Sequence, residues 1–380
     1  MTPPFRVWAE IDLAALERNL GRIRAALPRH LRYIAVVKAD AYGHGLRAVA
    51  RRLMQAGIDC FAVATIGEAR VLAEVGDGWP VLVLSPLLPL EFSEAVALGV
   101  MPTVSSQEEV GGLNAAAKVA GRVLPVHLKV DTGMGRAGVW HEEAATVYGA
   151  IRETDHLTLA GILTHFASAD RDADFTGVQR QRFLAALDAM PGWDDAPRLI
   201  HADNSAGLAD FPADGVFNGA RVGLLQFGLE PRPGSLFDAL AVEPVLSLHT
   251  RVTLVKALPA GTALSYGGTH VLPRDSRIAL LGAGYADGLA TTMSNRGVAL
   301  IQGRRCPIVG RVTMDQTLVD VTDLPEEVLP GAVATLLGGR DNARLSLAEV
   351  ARTMGRIPWE ALTSISHDRV RRVYRRDGRV

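Results

Sequence analysis

Cysteine is nearly absent from the 380 residues: Cys60 and Cys306 are the only two. That leaves no basis for a disulfide framework or a cysteine-built metal cluster. No apolar run is long enough to cross a bilayer, since the longest, near 80–90, is short and broken by proline. Neither sign of charge prevails, with 40 basic against 41 acidic side chains and a formal net charge of −1. Such a balance offers no electrostatic reason to bind nucleic acid or an anionic membrane. The opening MTPPFRVWAEID lacks an apolar signal core and carries charge early. These absences together predict a soluble, cytoplasmic protein. Lysine is scarce as well: Lys38, Lys118, Lys129 and Lys256 are the only four among the 40 basic residues, so a lysine is a marked choice here.

Hydrophobic residues make up 48% of the chain, which is ample for a large core and for two domains. From about residue 30 to 225, short β-rich runs alternate with helical stretches. The runs are 33–39, 60–65, 80–85, 101–105, 124–131, 157–165, 198–203 and 215–221. The segments 46–56, 107–119, 141–152 and 174–190 carry apolar residues at helical spacing. This pattern predicts an α/β fold with an N-terminal (β/α)8 TIM barrel, a doubly wound sheet being the alternative. After Pro231-Arg-Pro-Gly234 the character changes. Residues 242–322 read as short strands divided by Gly, Pro and Asp turns, followed by a helical pair near 347–354 and 359–365. The expected division is a barrel over 1–235 and a mainly β-strand domain over 236–380.

Functional groups of a βα barrel gather at the carboxyl ends of its strands, and polar residues here fall at those ends repeatedly. The first strand ends in AVVKADAYGHG and delivers Lys38 to its exit. A partly desolvated lysine loses its proton more readily and can attack an aldehyde. A lysine snorkelling from a strand end would look the same, and spacing alone does not separate the two. The fifth strand, VHLKVDTGMGRAG, puts His127, Lys129 and Asp131 on one face, either as a buried structural network or as part of a site. Arg136, beyond its glycine turn, has a fork that matches a carboxylate. His165 ends the sixth strand, in a position where a lone histidine is more often structural. Ser205 and the backbone near Gly223 follow the seventh and eighth strands, where barrels often bind phosphate.

AVVKADAYGHG resembles the long and specific lysine signature of the alanine racemases, which depend on pyridoxal 5'-phosphate (PLP). The resemblance continues through WAEIDLAAL, LKVDTGMGRAG, THFASAD, HADNSAG, ARVGLLQFGLEP, SYGGTH, GAGYADGL and GRVTMDQ, spanning most of the chain in the family's order. It implies a fold-type III PLP enzyme, a barrel plus a β-domain working as a head-to-tail homodimer with shared active sites. Lys38 would hold PLP covalently. Tyr42, Ser205 and the Gly223–Leu224 backbone would hold its phosphate, Asn204 would join the same wall, and His165 would lie against the pyridine ring. Arg221 would bond the pyridine nitrogen, and Arg136 would reach the phenolic oxygen and the substrate carboxylate. Tyr266, Tyr285, Met314 and Asp315 would arrive from the partner subunit. Lys129 matches a lysine that is carbamylated in some members, where the carbamate would orient Arg136.

The implied reaction interconverts L- and D-alanine and supplies D-alanine for peptidoglycan. Inversion needs a proton taken from one face of Cα and returned to the other, with Lys38 on one face and Tyr266 on the opposite one. Tyrosine ordinarily titrates near pH ~10, so its anion needs positive neighbours. An arginine at the pyridine nitrogen keeps its own proton, which weakens the electron sink and favours racemisation over transamination. Two positions depart from the family pattern. Phe227 stands where a tyrosine is usual, and TSISHDRVRRVY holds an extra residue, so that His367 or Asp368 falls where some members have a tyrosine. The closest rival is a broader-specificity racemase acting, for instance, on serine. A fold-type III decarboxylase ranks below it, because no decarboxylase-type pairing of cysteine and acid stands out in the second domain. A PLP carrier without turnover would need neither that domain nor SYGGTH. A barrel unrelated to PLP, with a structural Lys38, is the most remote reading.

Overall fold

The computed structural model describes residues 3–196, 198–210, 215–230, 240–340 and 343–375. Two compact units emerge, and neither is contiguous in sequence. One runs through Leu16–Ala41 and Leu46–Glu243; the other combines the chain up to Ala15, the tetrad Tyr42–Gly45, and the chain from Pro244 onward. The boundary expected near residue 235 lies outside the described residues.

The first unit is the barrel. Its eight parallel strands are β1 (Arg32–Val36), β2 (Cys60–Val63), β3 (Val81–Val83), β4 (Met101–Val104), β5 (Leu124–Asp131), β6 (Leu157–Leu163), β7 (Leu199–His201) and β8 (Gly219–Val222). From β1 to β7 each pairs with the next, and β8 pairs with β1 at Gly219–Arg32 and Arg221–Ile34. Between β7 and β8 the backbone bonds Asn218 N to Ile200 O (3.0 Å) and Arg221 N to Asp203 O (3.1 Å) bring the two ends of the sheet together. The helices Leu46–Gln55, Ile66–Val75, Phe92–Leu98, Gln107–Val119, Ala144–Arg152 and Ala173–Asp188 fall between successive strands. In the described residues between β7 and β8 only a 3-10 turn, Gly207–Asp210, forms. Strands buried on both faces explain the near-continuous apolar runs; every residue of β2 and β8 is buried.

The second unit is mostly strands. The long Leu246–Leu258 strand pairs with Val7–Asp12, Ser276–Leu281 and Val333–Arg340. Val7–Asp12 also takes Arg371–Arg375 as a parallel neighbour. The start of the chain is therefore built into the C-terminal sheet, where Trp8 is buried and stacks on His249 at 5.3 Å. Both cysteines are buried, and burial pushes the thiols of Cys60 and Cys306 up to about 12 and about 11. No helix among the described residues is long and apolar enough to cross a membrane.

Candidate active site

The carboxyl end of β1 does not continue into a right-handed helix. After Lys38, the residues Ala39, Asp40, Ala41 and Tyr42 all adopt left-handed backbone, with φ of 52–53°. None of them is glycine, and each L-residue in that region costs ~1–2 kcal/mol. Strain of this kind persists only where the surroundings over-determine it, and such places cluster at functional sites. Local bonds hold part of the turn: Ala41 N donates to Val37 O (2.8 Å), and Leu46 N donates to the Asp40 carboxylate (2.6 Å).

The turn leaves Lys38 half-buried on a pocket of about 360 Å³, together with Lys129, Arg136, His165 and Arg221. Four cations and a histidine from four strand ends thus share one cavity, while Lys118 and Lys256 are exposed elsewhere. Burial, and then the Arg136 charge, lower the pKa of Lys38. Lys129 is brought down to about 8 by burial and by Arg221, Arg136 and Lys38, and its Nζ donates to Leu84 O (3.2 Å).

Arg221 is fully enclosed. Nη1 donates to His201 Nδ1 (2.8 Å) and to His201 O (2.9 Å). Nη2 donates to the carbonyls of Thr164 (2.8 Å) and Ala202 (2.6 Å) and lies 3.2 Å from His165 Nδ1. Burial lowers its pKa to about 10, so it remains charged at neutral pH. Arginine only donates, so His201 Nδ1 must be the acceptor and its proton sits on Nε2, 3.1 Å from His127 Nδ1. Desolvation and the Arg221 charge keep all three histidines neutral: His127 falls to about 3, and His165 and His201 well below their usual range.

The three polar residues of β5 do separate work. His127 meets His201, Lys129 lines the pocket, and Asp131 accepts from the backbone N–H groups of Gly133, Met134, Gly135 and Arg136. Asp131 thereby shapes the turn that carries Arg136. After β7, Ser205 Oγ accepts from Gly223 N (2.9 Å), joining the seventh and eighth strand ends just ahead of Leu224. Asn204 spends its side-chain oxygen on the N–H groups of Ala206 and Gly207.

Tyr266, Tyr285, Met314 and Asp315 form a second group, in the C-terminal unit, around a cavity of about 880 Å³ that Arg311 also lines. Tyr266 is 74% exposed and sits on a 3-10 turn behind Ser265, itself at φ 60°. Tyr285 N and Ala286 N donate to the carbonyls of Thr313 and Met314. Arg369 ties Asp315 (2.6 Å) to Asp287 (3.0 Å), the residue that closes the Tyr285 turn.

Two family models match the chain: the alanine racemase N-terminal domain over residues 11–231 and the alanine racemase C-terminal domain over 245–374. An alanine racemase of Halothermothrix orenii is 38% identical, the match covering 97% of this chain and 96% of that protein. The chain belongs to the alanine racemase family.

Among solved structures, the Bacillus anthracis alanine racemase with bound L-Ala-P is 35% identical with a TM-score of 0.90, covering 100% of this chain and 97% of that one. The Bartonella henselae alanine racemase with covalently bound pyridoxal phosphate is 26% identical with a TM-score of 0.86, covering 98% of this chain and 100% of that one. As a member of the alanine racemase family, the chain is a PLP-dependent isomerase acting on an amino acid. Its barrel pocket fits that cofactor. The lining offers a depressed lysine for an aldehyde and cations for the anionic oxygens. The Nε–H of Arg221 is the one donor of that guanidinium with no acceptor among the described residues.

Three groups around this alanine racemase pocket were not singled out by sequence reasoning. His201 orients Arg221. Asp203, at 0% side-chain exposure, pairs with Arg180 (2.8 Å), whose guanidinium lies between the rings of Phe166 and Phe217. Glu68 bonds the Lys38 turn. Glu68 had a local signal, the Thr65-x-x-Glu68 spacing of a helix capping box, and His201 and Asp203 lie within HADNSAG, a segment that gives no sign of their partners.

Proposed function

We propose that this chain racemises alanine with Lys38 and Tyr266 as its two bases, and that its active site is completed across a head-to-tail homodimer. One observation carries the reading: the two cavities are complementary. The barrel pocket is lined by two lysines and two arginines but no tyrosine, and the C-terminal cavity is lined by two tyrosines but no lysine. Inversion at Cα needs a proton donor and acceptor on each face, so a site built from one cavity alone has half of the required set.

When bound, PLP supplies the ring that withdraws electrons and acidifies the substrate Cα–H. Lys38 would hold it covalently and, once the substrate amine had displaced it as a free amine, would exchange a proton on one face of Cα. Burial and the Arg136 charge lower its pKa, which favours the neutral amine that a base requires. Tyr266, from the partner subunit, serves the other face. Arg221, held by His201 and its neighbouring carbonyls, offers Nε–H to the ring nitrogen without surrendering its proton, and His165 stands beside it. Ser205, Asn204, Tyr42 and the Gly223–Leu224 backbone receive the phosphate. Arg136 grips the substrate carboxylate, with Tyr285, Met314 and Asp315 closing the mouth from the partner. Lys129 is neutral often enough near pH 8 to accept carbon dioxide, which supports its carbamylation. A carbamate there would face Arg136; a 13CO2 NMR signal absent from Lys129→Ala would identify it, and its absence from the native protein would remove it. In the cytoplasm such an activity would supply D-alanine to peptidoglycan.

The deciding experiment is proton NMR of L-alanine with purified protein and PLP in D2O, with chiral analysis of the product. Loss of the α-proton with D-alanine accumulating is the expected outcome, and a panel with serine sets the substrate range. PLP-loaded protein that neither exchanges the proton nor forms D-alanine would overturn the proposal.

A further inference from the structure

A run of four left-handed L-residues is strained by itself, and it begins at the residue after Lys38. The bonds Ala41 to Val37 and Leu46 to Asp40 are internal to the segment, so they move with it. Glu68 reaches in from outside, from the first turn of the helix that follows β2. Its Oε1 accepts from Ala39 N at 2.6 Å. Its Oε2 accepts from Ala64 N (2.8 Å) and Thr65 N (3.2 Å), while Thr65 Oγ1 receives Glu68 N (3.3 Å). Half of the carboxylate is thus immobilised by the end of β2, and the other half holds the first left-handed residue beyond β1.

We propose that Glu68 is a positioning residue for Lys38, its carboxylate pinning the left-handed turn to the neighbouring strand end so that the amine is held in the pocket. The inference rests on the reading of Lys38 as the PLP lysine. Capping a helix needs only the bonds to Ala64 and Thr65; the bond to Ala39 adds nothing to that cap and everything to the turn. A hydrogen bond to a charged acceptor is stronger than one to a neutral acceptor, and here it opposes the strain of the turn. The charge acts in the same direction. Arg136 and Arg221 oppose a positive charge on Lys38, and Glu68 favours one.

The test compares wild type with Glu68→Ala, the isosteric Glu68→Gln and Thr65→Ala, which breaks the cap but leaves the bond to Ala39. Each protein is mixed with PLP over a range of pH, and the bond formed at Lys38 is trapped with borohydride and quantified by peptide mass mapping. Thermal melts run in parallel. All three variants are expected to melt lower, but Thr65→Ala should trap PLP at the wild-type rate. Glu68→Ala should lose about tenfold or more in the high-pH plateau, as misplacement of a reacting group does, with a lower pH midpoint because a favourable negative charge is gone. Glu68→Gln, which keeps one acceptor oxygen, should fall between and stays informative if Glu68→Ala fails to fold. Plateaus and midpoints of both Glu68 variants equal to those of Thr65→Ala would reduce Glu68 to a helix cap and overturn the inference alone. Failure of the wild type to trap PLP at Lys38 would remove the reading beneath it as well.

Discussion

Arg221 and the histidines behind it show how one side chain dictates the state of others. Because the guanidinium must donate, the proton of His201 is placed on Nε2, and His127 receives it. His127 titrates at about 3 in the fold and near 6.5 when unfolded, so the unfolded chain takes up the proton first. Its contribution is constant above pH 6.5 and is lost as the pH falls from there toward 3. At pH 5 the loss is about 2 kcal/mol for this residue. Denaturation curves at pH 7 and pH 5 should therefore draw closer together in His127→Gln than in wild type. Parallel losses in the two proteins would show that His127 is not held neutral. The two proposed bases separate in the same way. Tyr266→Phe should lower racemisation by roughly 10²–10⁴-fold while leaving PLP trapped on Lys38. Measurable racemisation at the native rate would take Tyr266 out of the chemistry.

At the scale of the elements, close backbone approach fixes what the side chains can do. Gly161 in β6 lies against both β7 and His127: a Cβ there would sit 2.4 Å from His127 Cε1 and 2.5 Å from Leu199 O. Gly161→Ala must spread β6 from β7 or displace the imidazole. We expect a loss of about 1–3 kcal/mol, read as a lower melting temperature together with weaker PLP retention. Gly284 plays the corresponding part in the other unit, where a Cβ would collide with the carbonyl oxygens of Thr313 and Met314 and force Tyr285 away from that backbone. All eight barrel strands were legible as apolar runs between turns, and so was the delivery of Lys38 to a strand exit. The left-handed turn was not, because four L-residues with ordinary propensities give no local sign of a positive φ. Glu68 was legible only as a cap, since its second partner lies 29 residues away.

For the molecule as a whole, the two-cavity arrangement makes complementation the sharpest measurement. Lys38→Ala and Tyr266→Phe proteins, each deficient alone, should regain activity when mixed under conditions that exchange subunits, because a heterodimer holds one site with both bases. Verified heterodimers that stay inactive would argue against sites shared across the interface. The departures from the family pattern also belong to this scale. Phe227 is buried and carries no hydroxyl, and His367 lies beside Arg372 at 3.1 Å.

The amino-acid sequence alone determined the alternation of strands and helices, the change to short strands after the barrel, and the residue types gathered at strand ends. Each of these follows from local periodicity and from the fixed direction of parallel strands. Tertiary structure decided what depends on neighbours far apart in the chain. It placed Val7–Asp12 in the C-terminal sheet, because a strand's partners are chosen by its hydrogen-bonding edges and not by sequence proximity. It also set the proton on His201, the pairing of Asp203 with Arg180, and the bond from Glu68 to Ala39. Such contacts arise only when the closed sheet brings separate strand ends within hydrogen-bonding distance.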